Sequence, residues 1–201
     1  MNIPNPEHKE IFENVKFING FVDIHPTATI KIGKNVVFNN VFLLVKESTV
    51  LEIGDNSSLY GRIIIEPYSK LLIGNNLQCT NSNLLIRSIE GKSIHIGNDC
   101  LFADPSIYNA DYHGIYNKKT GDRINYPKDV FIGDRVWLGL RSIILKGVKI
   151  NPDSIVGAGS LVLGGEYPPN SMIAGNPAKV LREDVCWDMR AIPNIEIVNI
   201  V

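Results

Sequence analysis

Cysteine is scarce in this chain. Three thiols in 201 residues, Cys79, Cys100 and Cys186, are odd in number and far apart, which argues against a disulfide framework. No CxxC or HxxxH spacing accompanies them, so no metal site is expected. An excess of charge of either sign is missing too. Lys plus Arg number 20 against 21 Asp plus Glu, a net charge of −1 that suggests neither disorder nor a polyanion-binding surface, and no nucleic acid is expected as partner. Long apolar runs are absent, so no segment is expected to span a bilayer. The opening stretch, MNIPNPEHKEIFENV, is polar and punctuated by proline, without a signal-peptide pattern. Reduced thiols and the lack of an export signal together point to the cytoplasm.

Glycine, by contrast, recurs in phase. In VFIGDRVWLGLRSIILKGVKINPDSIVGAGSLVL, residues 130–163, the aliphatic residues Ile132, Leu138, Ile144, Ile150, Val156 and Val162 stand six apart. Four positions after the first five come Val136, Ser142, Val148, Ser154 and Ser160, all small or β-branched. Gly133, Gly139 and Gly157 directly follow three of the six. A period of six fits neither the helical period of about 3.6 nor an unbroken strand period of about 2. It fits a short strand and a turn, repeated, with one aliphatic side chain inward each time. Glycine, Asn and Asp at the turns accept positive φ at little steric cost.

The same core returns as IKIGKNVV, LEIGDNSS, LLIGNNLQ, IHIGNDCL and VFIGDRVW, at Ile32, Ile53, Ile73, Ile96 and Ile132, with VKINPDSI as an echo at Ile150. Steps of 21, 20, 23, 36 and 18 residues read as an eighteen-residue coil of three six-residue sides, with small bulges and one large insertion. Such self-similarity marks an all-β solenoid, whose coils bury their apolar rows by stacking. A β-sandwich, with strands every 8 to about 12 residues, has no reason to hold this phase.

Three segments follow. Residues 1–22 form an N-terminal lead, with a short helix expected over PEHKEIFENV; residues 23–165 form the coil; residues 166–201 form a cap over its open end. The insertion, residues 103–129, reads ADPSIYNADYHGIYNKKTGDRINYPKD: polar, Tyr-rich and off the repeat. Long excursions from a rigid scaffold more often carry function than decorate it.

Two motifs carry a family resemblance. One is IGDRVWLG, followed by VGAGSLVL and PPNSMIAGNPAKVLRE; the other is His113 in ADYHGIY, twenty-four residues before Trp137. From about Ile94 to Arg182 the chain resembles the hexapeptide-repeat acyltransferases, in particular the galactoside, maltose and polysaccharide O-acetyltransferases, including those that modify sialic acid capsules. The resemblance implies a left-handed parallel β-helix with a protruding loop and a C-terminal cap, against the usual right-handed preference of β crossovers. It implies a homotrimer with acetyl-coenzyme A in grooves between neighbouring coils, the loop of one subunit meeting the Trp-bearing coil of another. The acceptor would be a carbohydrate hydroxyl, which is compatible with peripheral association with membrane-bound polysaccharide synthesis.

Carried over residue by residue, the resemblance makes His113 the general base, a role suited to neutral imidazole. Asp111, two residues before it, is expected to orient its ring as carboxylates do for a catalytic His, unless it simply faces water, and Trp137 is expected to serve both catalysis and acceptor binding. Tyr112 and Asn83 are expected at the acceptor, with Tyr108 and Tyr116 as further stacking surfaces. A backbone N–H around Gly139 and Leu140 would stabilise the oxyanion. Gly139, Leu140, Ala158 and Leu163 are expected along the cofactor, with Gly157 and Gly159 leaving room for its arm, and Lys179 and Arg182 at its phosphates. Leu140, Arg141 and Leu163 stand where relatives often carry small or polar residues, which leaves the contacts there to the backbone. His25, before a proline at the first coil, is read as structural and His95 as a surface residue; His8 carries no signal.

A non-sugar acceptor, as in xenobiotic acetyltransferases, would use the same machinery and stays open. A serine acetyltransferase would carry a long helical N-terminal domain. A γ-carbonic anhydrase needs three His around a metal ion, with a close pair that these four scattered His lack. An inert structural β-helix has no use for His113 in a long loop beside the AGNPAKV cap.

Overall fold

Each Ile-Gly core closes one short strand and opens a corner. In the computed structural model, which describes residues 15–80 and 83–190, these strands stack in parallel as a β-helix, with no helix among the described residues. The five Ile-Gly strands and two that follow them form one column, in spatial order Thr29–Ile32, Val50–Ile53, Lys70–Ile73, Ser93–Ile96, Val130–Ile132, Val148–Ile150 and Gly165–Tyr167. Gln78–Cys79, Leu101–Phe102, Trp137–Leu138, Ile155–Val156 and Met172–Gly175 form a second. Leu85–Ser88, Ser106–Tyr108, Ile143–Ile144 and Leu161–Val162 form a third. The longer strands Val15–Ile24, Val36–Val45 and Ser58–Ile65 run through the last two columns and join them into one 13-stranded sheet. The bend in Ser58–Ile65 needs Gly61, whose φ is +77° and whose added Cβ would lie 2.3 Å from the Leu84 carbonyl oxygen.

The six-residue phase becomes vertical rows of buried side chains. Cys79, Phe102, Leu138, Val156 and Ile173 are in register in one row, and Ile63, Ile86, Ile107, Ile144 and Val162 in another. All are buried, so each coil's apolar row is removed from water by the coils on either side. Small residues recur at the corners because space is tight there. Ser154, fully buried, donates its hydroxyl to the Pro168 carbonyl at 3.1 Å.

Polar residues after the Ile-Gly cores form a ladder of their own. The backbone N–H groups of Lys34, Asp55, Asn75 and Asn98 donate to the side-chain oxygens of Asp55, Asn75, Asn98 and Asp134, one coil further on, at 2.6–2.9 Å. The next residues, Asn35, Asn56, Asn76, Asp99 and Arg135, hold φ between +52° and +59°, a conformation that Asn and Asp tolerate best after glycine.

The structure moves three expected boundaries. Among the described residues stacking is already present from Val15, ahead of residue 23, because Val15–Ile24 pairs with Val36–Val45 and stacks Phe17 on Phe38 and Phe21 on Phe42. The helix expected over PEHKEIFENV falls outside the described residues but for Val15, which opens this strand. The insertion leaves the coil after Tyr108 rather than at 103, since Ile107 fills the buried row between Ile86 and Ile144. Parallel pairing continues past 165, through Gly165–Tyr167 and Met172–Gly175, with Ile173 buried against Val156. The chain turns back only at the cis Asn176–Pro177 bond, laying Ala178–Arg182 antiparallel on Met172–Gly175.

Candidate active site

The excursion leaves the column of Ser106–Tyr108 and rejoins the column of Val130–Ile132, so it projects from the edge between them. Asn109, fully buried, staples its base. Its Oδ1 accepts the Ile89 N–H at 2.9 Å, its Nδ2 donates to Ser88 Oγ at 3.1 Å, and its carbonyl accepts the Lys128 N–H at 3.0 Å. Ion pairs then tie the loop to the coils on both sides. Arg123 forks onto Glu90 at 2.5 and 2.9 Å, and Lys146 pairs with Asp111. The Arg87 guanidinium lies 4.4 Å from the centre of the Tyr112 ring.

His113 stands exposed in this anchored loop, its ring edge-on to Tyr112 at 5.4 Å. Asp111 does not take the orienting role expected of it. Its carboxylate is engaged by Lys146 and by the Asn125 amide at 2.8 Å, and has no hydrogen bond to the His113 ring among the described residues. Burial pushes the Asp111 carboxyl up, but these two donors outweigh it and hold the group below the ordinary carboxylate range. The Arg123 fork does the same for Glu90.

The other expected groups gather at a different edge. Trp137 points outward between Leu101 and Ile155 and is 38% exposed. The Trp187 ring sits 6.0 Å from it, held by a 2.7 Å bond from Trp187 Nε1 to the Arg135 carbonyl. A cleft of about 600 Å³ opens there, between Asp99 and Arg135 on the coil and Cys186 to Met189. At the next corner Gly139 approaches the coil so closely that a Cβ would lie 2.5 Å from the Val156 oxygen and 2.8 Å from the Ala158 nitrogen. Of the two N–H groups considered for an oxyanion, Gly139 spends its own on the Val156 carbonyl at 2.8 Å. The Leu140 N–H has no partner among the described residues. Leu140 and Ala158 are exposed beside it. Asn83 shares this corner two coils away, where Asp104 accepts its backbone N–H at 2.9 Å and its side-chain amide at 3.4 Å.

One chain therefore brings Trp137, Gly139, Leu140 and Ala158 together, with Asn83 on the same corner. It holds Asp111, Tyr112 and His113 on another edge. Leu163 is exposed just past Leu161–Val162, towards the loop's edge. Lys179 and Arg182 are exposed on the returning strand, without an ion pair among the described residues. His25 is exposed and bonds locally: its Nδ1 meets Thr27 Oγ1 at 2.9 Å and accepts the Thr27 N–H at 3.3 Å. His95 stacks on Phe131, and partial burial lowers its pKa. Arg87, Asn125, Lys146 and Trp187 were not legible as site residues. Lys146 lies 35 positions from its partner Asp111, and nothing local announces such a pair.

Among the described residues no group of three His, Cys, Asp or Glu is arranged to hold a metal ion, and no helix is long and apolar enough to cross a membrane. The family described as the hexapeptide repeat of succinyl-transferase matches residues 129–163. The chain is 37% identical over 150 residues to a polysialic acid O-acetyltransferase of Neisseria meningitidis, covering 74% of this chain. It is 32% identical over 142 residues to a galactoside O-acetyltransferase of Escherichia coli K12, covering 70% of this chain. In both cases the match spans 66% of the relative's length, just under two thirds. Among solved structures, the polysialic acid O-acetyltransferase OatWY superposes with a TM-score of 0.53 at 27% identity, covering 91% of this chain and 93% of that one. The polySia-specific acetyltransferase NeuO superposes with a TM-score of 0.65 over 90% and 88% of the two chains; at 23% identity this likeness concerns the fold.

Proposed function

We propose that this chain, which belongs to the hexapeptide-repeat acetyltransferase family close to the polysialic acid and galactoside O-acetyltransferases, transfers acetyl from acetyl-coenzyme A to a carbohydrate hydroxyl. A capsular or surface polysaccharide sugar such as sialic acid is the acceptor we favour. The observation that carries this reading is that one chain supplies both an exposed imidazole on an anchored loop and, on another edge, a glycine corner that leaves one N–H unspent.

The chemistry needs a base, an oxyanion donor and a donor site. The acceptor hydroxyl attacks the thioester carbonyl while His113 takes its proton. The Leu140 N–H, without a partner among the described residues, is the donor available to the charge that develops on the carbonyl oxygen. Collapse of the adduct breaks the C–S bond, and the proton returns from the His113 imidazolium to the coenzyme A thiolate. The backbone at Gly157, Ala158 and Gly159, the last with open space where a side chain would stand, suits a long, thin pantetheine arm, and Lys179 with Arg182 supplies positive charge for phosphates.

Because His113 and Trp137 stand on different edges of one chain, a complete site needs a second copy, which supports a homotrimer. Three free thiols suit a reducing compartment such as the cytoplasm. The test is a screen of capsule and lipopolysaccharide sugars with acetyl-coenzyme A, following free thiol. Acceptor-dependent thiol release is expected; none with any hydroxylated acceptor would overturn the reading.

A further inference from the structure

Asn125 lies on the returning limb of the loop, 7% exposed, and every hydrogen-bonding position of its side chain is filled. Its Nδ2 donates to Asp111 Oδ2 at 2.8 Å and to the His113 carbonyl at 2.7 Å. Its Oδ1 accepts the Ile115 N–H at 2.6 Å and Arg123 Nε–H at 3.2 Å. A single amide thus grips residues 111, 113 and 115, the histidine and the alternate residue on either side of it. Between the first two grips, Tyr112 holds φ at +70°, a conformation that a bulky L residue adopts only where its surroundings impose it. That kink sets the direction in which the chain enters His113.

Asn125 is itself fixed to the scaffold. Its carbonyl accepts Lys146 Nζ at 3.3 Å and Arg123 Nη2 at 3.3 Å, and Arg123 is locked onto Glu90 of the preceding coil. The Asn125 side chain thus joins the Lys146–Asp111 pair and the Arg87–Tyr112 contact in linking the rigid coil to the histidine segment. It alone of these reaches residues 113 and 115, while the imidazole stays free of hydrogen bonds to the described residues.

We propose that Asn125 is the positioning residue of His113, aiming the imidazole through the kinked Asp111–Ile115 segment. This rests on the reading of His113 as the base in acetyl transfer. Alanine at 125 removes both donors and both acceptors. Aspartate keeps the shape and the acceptors but sets a second carboxylate against Asp111.

The experiment compares full-length parent, Asn125→Ala, Asn125→Asp, His113→Ala and the His113→Ala/Asn125→Ala double variant, with oligosialic acid and a galactoside as acceptor probes. Both Asn125 variants are expected to lose about 10- to 100-fold in kcat, the scale of a misplaced catalytic group. Their KM for acetyl-coenzyme A should stay within about twofold of the parent, because the cofactor corner is untouched. The double variant is expected at the rate of His113→Ala alone, since an aim is worth nothing without the base it aims. A parent-like Asn125→Ala beside a slow His113→Ala overturns the positioning role and leaves the base in place. A further loss in the double variant also overturns it, by showing that Asn125 acts independently. A parent-like His113→Ala removes the base assignment itself, and the positioning role with it.

Discussion

Lys146 in the coil and Asp111 in the loop form an ion pair 35 positions apart in sequence, and through it the scaffold holds the segment that carries His113. With Arg123 and Glu90 on the other side, the loop is latched to the coil before it and the coil after it. Both carboxyls titrate below their ordinary range. A carboxylate whose folded pKa is depressed contributes stability above its unfolded pKa and loses it as pH falls through the folded one. The latch should therefore be intact at neutral pH and begin to weaken only once pH falls below about 4, the ordinary carboxylate value.

Thermal melts from pH 7 to pH 3 test this. Both partners of the Lys146 pair keep some exposure, so Lys146→Met is expected to lower Tm at pH 7 by no more than about 2–4 °C. The difference from the parent should shrink as pH falls and Asp111 takes up its proton. A gap that stays constant with pH would mean that lost packing of the lysine stem, rather than its charge, accounts for the effect.

The thiols make a second prediction. Burial pushes both Cys79 and Cys100 up to about 12, whereas Cys186 is exposed on the stretch beside Trp187. In the native protein a chromogenic disulfide reagent should titrate one thiol, and three after unfolding in guanidinium. Cys186→Ser should abolish the fast native reaction. More than one fast thiol in the parent would mean that the coil opens readily around Phe102.

The six-residue rows were readable because a solenoid imposes the same local environment on every coil. Leu138 must be aliphatic for the same reason as Ile144 and Val156, so one segment reveals the rule. The coil's ends were harder to read. Val15–Ile24 stacks without an Ile-Gly core, using Phe17 and Phe21 instead, and Met172–Gly175 stacks through Ile173 although prolines precede it. The loop was the least legible part. His113 stood out by residue type and family spacing, but the Asp111 partner was read from proximity in sequence. The structure gives that carboxylate to Lys146 and Asn125, because backbone direction at Tyr112, not sequence distance, decides which groups meet.

Cofactor affinity supplies a third prediction. If Lys179 and Arg182 hold the phosphates of coenzyme A, their joint replacement by alanine removes binding remote from the reacting carbonyl. Such a loss raises KM for acetyl-coenzyme A more than it lowers kcat. Both side chains are exposed, so raising salt should weaken the parent's affinity in the same direction and have less effect on the double variant. Calorimetry of acetyl-coenzyme A binding at two ionic strengths measures this directly. Equal affinity and equal salt dependence in parent and variant would free these residues from the cofactor.

His113 carries the last prediction. Its ring is exposed and has no hydrogen bond among the described residues, and the loop lies outside the buried rows of the coil. His113→Ala should therefore fold, assemble and bind acetyl-coenzyme A as the parent does. Its kcat should fall by about 10²–10⁴, the usual contribution of positioned proton transfer. The parent's kcat/KM should decline on the acid side, where a protonated imidazole can no longer accept the hydroxyl proton, and the variant's profile should lose that limb. His113→Asn keeps a planar polar group of similar reach but not its basicity, so it should be nearly as slow as alanine. If either variant turned over at the parent's rate, with cofactor binding verified by calorimetry, the base would have to be sought elsewhere on the coil.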